Sequence, residues 1–141
     1  MNYNWGRLKT LKVTIGGIGI AADFNFVTAA NTTEQPIDLG AILPAQCSVQ
    51  AIHLHTNAVF TGATTLVADV GLTTGAAEFI ASATIYETDA MLAPAAASNP
   101  LVAPVATAQH VWVNATPGAN WSNVVAGLVT IYITYLDFTD L

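Results

Sequence analysis

Hydrophobic positions along this chain recur every second residue, not every third or fourth. Leu11, Val13 and Ile15 alternate with Lys12 and Thr14; Ile52 and Leu54 alternate with Gln50, His53 and Thr56; Leu66, Ala68, Val70 and Leu72 alternate with Val67, Asp69 and Gly71. Near the end, LVTIYITYLDF sets Val129, Ile131, Ile133 and Tyr135 on one face and Thr130, Tyr132 and Thr134 on the other. A period of two predicts strands with one buried face. Stretches at 25–28, 37–43, 78–86 and 110–114 predict four more strands, divided by turn material such as Thr61-Gly62, Thr73-Thr74-Gly75 and Pro117-Gly118. About eight strands without an amphipathic helix predict an all-β fold, an antiparallel sandwich or barrel, and the count favours a jelly roll.

One segment competes with this picture. KVTIGGIGIAADF, residues 12–24, holds Gly17-x-Gly19-x-x-Ala22 after a β-prone run, and Asp38 follows about 20 residues on, the spacing of a dinucleotide fingerprint. That fingerprint works only where the glycines open a helix whose amides hold the phosphates. The residues that follow, DFNFVTAANTTEQP, lack a 3.6-residue apolar repeat and stop at Pro36, so the glycines read instead as a bulge or bend in the first strand. The same glycines, with Thr14, argue against a secretory signal in the apolar stretch ending at Ala22.

The length, 141 residues, predicts a single domain over 1–141, with an N-terminal arm at 1–10 and a long Pro/Ala-rich loop at 87–109. Composition sharpens the picture: 53% of residues are hydrophobic and 9% charged, against about 25% charged in an average soluble protein. No run approaches the roughly 18 apolar residues of a membrane helix, so no membrane partner is expected. A neighbouring protein is the natural cover for a charge-poor surface, which loses little on desolvation. The net charge is −6, and the only cations are Arg7, Lys9 and Lys12. Three cations cannot supply the phosphate neutralisation that nucleic-acid binding rests on. They could steer the arm to an acidic partner, or simply solubilise a first strand.

Candidate chemistry is thin. Cys47 stands alone and without a neighbouring cation, which predicts a buried small hydrophobe. His53 and His55 share one side of a strand, and Asp69 is a conceivable third metal ligand, yet such pairs are mostly plain surface residues. His110 has no evident partner, and no serine sits in a G-x-S-x-G elbow. No enzyme activity, metal or cofactor is expected. Three matches to the glycosylation pattern, at Asn31, Asn114 and Asn120, read as turn and strand residues.

Two segments look like contact equipment. MNYNWGR places Tyr3 and Trp5 beside Arg7 and Lys9 on the arm, a hot-spot combination, although Trp5 could equally cap its own domain. The loop at 87–109 holds Pro94, Pro100 and Pro104, yet Met91, Leu92, Leu101 and Val102 make it too apolar for a solvated linker. It is expected to lie on its own sandwich or on a neighbouring subunit.

The run AVFTGATTLVADVGLTTGAAEFIASATIY, followed by GLVTIYITYLDF, resembles small jelly-roll virion proteins of tailed bacteriophages, especially podophage capsid cement or decoration proteins. Phe60-Thr61-Gly62, Asp69-x-Gly71 and the Tyr-rich last strand carry the resemblance, over about half the chain by eye. It implies a non-catalytic homo-oligomer, dimer or trimer, made in the bacterial cytoplasm, which binds the major capsid protein on the capsid exterior and strengthens the coat lattice. The alternative is a carbohydrate- or receptor-binding module of a head or tail fibre. There Trp121 would stack on a sugar while Asn120 and Asn123 hydrogen-bond its hydroxyls, unless Trp121 instead anchors its loop to the core. A barrel enclosing a small apolar ligand has no support beyond the fold class.

Overall fold

The period-two stretches become strands whose apolar sides meet between two sheets. A computed structural model describes residues 6–16, 32–62, 64–85, 106–124 and 126–139. Its strands are β1 (Arg7–Gly16), β2 (Gln35–Asp38), β3 (Cys47–Thr61), β4 (Leu66–Gly71), β5 (Ile80–Thr84), β6 (Trp112–Pro117) and β7 (Ala126–Asp137). They form a three-stranded sheet in the order β1-β7-β3 and a four-stranded sheet in the order β2-β6-β4-β5. Every pairing is antiparallel.

The fold is thus the all-β sandwich that alternation predicts, with seven strands among the described residues where eight were expected. The eighth candidate, 25–28, lies outside the described residues, as do Gly17 and Gly19 of the apparent fingerprint. β1 ends at Gly16, whose φ of 100° is open to glycine and costly for other residues. Arg7 to Thr10, expected within an N-terminal arm, pair with Asp137 to Thr134 of β7 and belong to the sheet.

Ile52 and Leu54 of β3, Leu66, Ala68 and Val70 of β4, Val113 and Ala115 of β6, and Ile131 and Ile133 of β7 are buried side by side. One polar bond ties the sheets together within this core. Thr56, 1% exposed on the inner side of β3, donates its hydroxyl to the carbonyl of Ile85, just past β5, at 2.8 Å. Cys47 is buried, as expected, and burial pushes its thiol pKa up, with the nearby Asp137 charge adding to the rise.

Candidate functional site

The first candidate surface is the end of the sandwich where β1 begins. Strand parity gives Lys9 the side of Leu11, toward the sandwich interior, and its stem runs to the rim, where Nζ meets the Asp137 carboxylate. The other carboxylate oxygen accepts the backbone N–H and the hydroxyl of Thr139, at 2.9 and 2.7 Å. The Lys9 hydrogen bond, followed by those of Thr139, holds the Asp137 carboxyl far below the usual carboxylate range. The N–H of Phe138 donates to the Gln46 carbonyl at 2.9 Å, so β1, β7 and the start of β3 are fastened at this one end. Tyr3, Trp5, Met91, Leu92, Leu101 and Val102 lie outside the described residues.

The second surface is the outer face of the three-stranded sheet. On β1 it presents Leu8, Thr10, Lys12 and Thr14, set opposite Leu136, Thr134, Tyr132 and Thr130 of β7. Lys12 Nζ lies 5.9 Å from the centre of the Tyr132 ring. On the β3 side, His53 stands opposite Tyr132 and His55 opposite Thr130. The two histidines do share a face, but Asp69 lies on β4 in the other sheet and accepts the N–H of Ser82, so it cannot complete a metal site with them. His53 Nδ1 is buried without a hydrogen-bond partner, shut off from any ion in solvent. Among the described residues no cluster of three or more His, Cys, Asp or Glu side chains could hold a metal ion.

The third surface, the outer face of the four-stranded sheet, is finished differently. Asn114 points outward from β6 between the inward Val113 and Ala115, yet it is fully buried. The connection from β4 to β5 folds over it: Asn114 Oδ1 accepts the Gly75 N–H at 3.0 Å, and its Nδ2 donates to the Ala76 carbonyl at 2.9 Å. Glu78 closes the loop by accepting the Leu72 N–H at 3.0 Å. Residue 71 is glycine because the loop leaves no room there; a Cβ would meet the Ala76 carbonyl oxygen at 2.6 Å. Asn114 is therefore a structural pin, and its buried, doubly bonded amide is no glycan acceptor.

Two other sequence candidates change role. Asp38 stands on β2 and faces His110, whose Nδ1 lies 2.9 Å from both carboxylate oxygens, and it also accepts the Gly40 N–H at 2.8 Å. Desolvation works to raise its pKa, but His110 and the Gly40 N–H outweigh that and leave it lowered. The pair is exposed and worth little to stability.

Trp121 corrects the sugar-stacking expectation. It opens a single 3-10 turn, Trp121–Asn123, is 0% exposed, and donates its indole N–H to the Thr33 carbonyl at 2.8 Å. A ring with no accessible face cannot stack on a sugar. Asn120 and Asn123 are exposed, but the turn gives their amides no aromatic platform. Its backbone is pressed on Gly62, where φ is 87° and any Cβ would collide with the Asn123 carbonyl.

Among the described residues no helix is long and apolar enough to cross a membrane. No protein-family model matches the chain, and no curated protein matches it. Two solved structures share its fold along nearly the whole length. One is a chain of the cyanophage Pam1 capsid asymmetric unit, with a TM-score of 0.63 and 16% identity over 97% of this chain and 89% of that one. The other is a chain of the capsid of Ralstonia phage GP4, with a TM-score of 0.63 and 17% identity over 99% of this chain and 90% of that one.

Proposed function

We propose that this protein is a structural component of a phage virion, a non-enzymatic cement or decoration protein that binds the major capsid protein on the outside of the head and reinforces the coat lattice. The observation that carries the reading is the fold shared with chains of two phage capsids over 97% and 99% of the sequence. The strand order fits a jelly roll, since β1, β3 and β7 share one sheet while β2, β4, β5 and β6 share the other. A charge-poor β domain suits this role, because many weak contacts repeated on a lattice sum to avidity without a deep site.

Self-association and lattice binding both draw on weakly charged faces. The arm before Gly6, with Tyr3 and Trp5, and the apolar positions of the 87–109 loop are the proposed coat contacts. Arg7 and Lys9 serve as the anchored base of the arm.

The test is co-sedimentation with matching phage shells stripped of this protein. Saturation at a fixed ratio to coat subunits supports the proposal. Absence of binding by a folded protein overturns it. Removing residues 1–5 spares every β1 pairing and should weaken binding while leaving the melting temperature near that of the full chain.

A further inference from the structure

We infer that Trp112, with Asp38, His110 and Glu78 around it on the outer face of the four-stranded sheet, forms a shallow binding site for a neutral sugar. The inference stands apart from the virion reading. Its test uses no phage shell, so either idea can fail without the other.

Trp112 opens β6 between Val111 and Val113, which are 0% and 1% exposed, so strand alternation turns its ring to the outer face, where it is half-buried. Its cross-strand neighbours are Asp38 on β2 and Gly71 on β4. Gly71 has no side chain to shield the ring. On the other flank β2 is the outermost strand of the sheet among the described residues. His53 Nδ1 is the one buried side-chain nitrogen or oxygen without a partner among the described residues, so the indole N–H of Trp112, which also has none there, is open to solvent. An aromatic side chain that presents both apolar surface and an unused donor is suited to a ligand with one apolar face and polar edges.

The polar groups around the ring are held in place before any ligand arrives. Asp38 accepts the Gly40 N–H at 2.8 Å and lies 2.9 Å from His110 Nδ1. That contact orients an imidazole which is 51% exposed and leaves its Nε2 without a partner among the described residues. Glu78 Oε2 accepts the Leu72 N–H at 3.0 Å and occupies the space into which a side chain at residue 71 would project, across the strand pair from Trp112. Residues 112 and 114 are successive outward positions of β6, so the loop pinned on Asn114 rises beside Trp112 and walls that flank. Groups fixed in this way lose little freedom on binding.

Charge and hydrogen-bond type select the occupant. A sugar ring has a flat C–H face for the indole and hydroxyls that both donate and accept, which suits two carboxylates, an imidazole nitrogen and an indole N–H. An anionic ligand would meet Asp38, Glu78 and a net charge of −6. A cationic side chain would compete for Asp38 with His110, whose Nδ1 already lies against both carboxylate oxygens. A wholly apolar ligand would take water from the carboxylates and replace it with nothing. A neutral sugar meets none of these obstacles.

The experiment is a 15N–1H NMR titration of the full chain with glucose, galactose, mannose, N-acetylglucosamine and maltose, each to about 50 mM, well above the ~1 mM Kd of a small, shallow site. The chain has three tryptophans, and Trp112→Phe assigns the indole signal of Trp112. That signal should shift and saturate with at least one of the sugars, while the signal of the buried Trp121 stays in place. Trp112→Ala should raise the Kd by about 10-fold or more, and His110→Ala by about 5-fold. Circular dichroism checks folding, and if Trp112→Ala fails to fold, His110→Ala decides. A Trp112 signal unmoved by all five sugars overturns the inference, as does unchanged sugar affinity in the folded variants. A signal moved only by arginine amide or by sialic acid, titrated in parallel, overturns it too and assigns the site to a charged ligand.

Discussion

Replacing Trp121 with alanine separates a core anchor from a binding platform. A fully buried tryptophan removes about 150–250 Å² from water, which at about 25 cal/mol per Å² corresponds to about 4–6 kcal/mol. An extended unfolded chain overstates that area, and buried Trp→Ala changes cost about 3–5 kcal/mol, so about 4 kcal/mol is the working figure. At about 2–4 °C per kcal/mol for a chain of this size, Trp121→Ala should melt about 8–16 °C below the wild type. Trp121→Phe keeps most of the ring and loses the 2.8 Å bond to Thr33, a cost nearer 1 kcal/mol. Thermal melting of the three proteins, followed by circular dichroism and repeated in urea, gives the ordering wild type, Phe, Ala. An alanine variant within about 2 °C of the wild type would refute the anchoring argument, because it would mean the side chain holds nothing in place.

Asn114→Asp should destabilise by about 2–4 kcal/mol at neutral pH, since it sets a carboxylate against the Ala76 carbonyl and opposite Asp69. Because burial raises that new carboxyl's pKa, the loss should shrink as pH falls toward about 4; a pH series of urea midpoints checks the sign. Thr56→Val removes the bond that crosses the core to Ile85 and should cost about 1–3 kcal/mol in chemical denaturation despite its similar shape. Asp137 has a lowered folded pKa, so its contribution is fully present above the unfolded value of about 3.9 and is lost as pH falls toward the folded value. Asp137→Asn should therefore be less stable at pH 7, and its stability should depend less on pH between about 2 and 4.

Alternation made β4, β7 and the Leu11–Ile15 half of β1 legible because one side is buried there, whereas Arg7 to Thr10 are exposed on both sides and read as an arm. β3 was legible only from 50 to 56: register shifts between Val49 and Ala51, and twice beyond Thr56, break the period that betrays a strand. β2 was expected from residue 37 because Pro36 looked like a breaker. It sits at the outer position of its sheet, where a missing N–H interrupts no ladder to β6 on the far side. Asn114 was expected as the last residue of a strand at 110–114, but a polar residue facing outward on a strand gives no sign in the sequence that a loop covers it. His110 found Asp38 across 72 residues, a pairing that local sequence cannot announce. Trp121 in a loop of Asn, Pro and Gly reads either as a sugar platform or as an anchor on the core, and the packing against Thr33 shows the anchor. Only tertiary contact decides between a platform and an anchor.

The loop pinned over one sheet gives the molecule a right and a wrong side, like a glazed tile. On the proposed lattice-binding reading such an object would be laid in one orientation only, since an inverted copy would turn Asp38 and the closed loop where its neighbours turn threonine and tyrosine. Orientation is then set by the subunit itself before any partner is met. An assembly made of such pieces sorts its copies by surface finish, with no need for a deep lock at each joint.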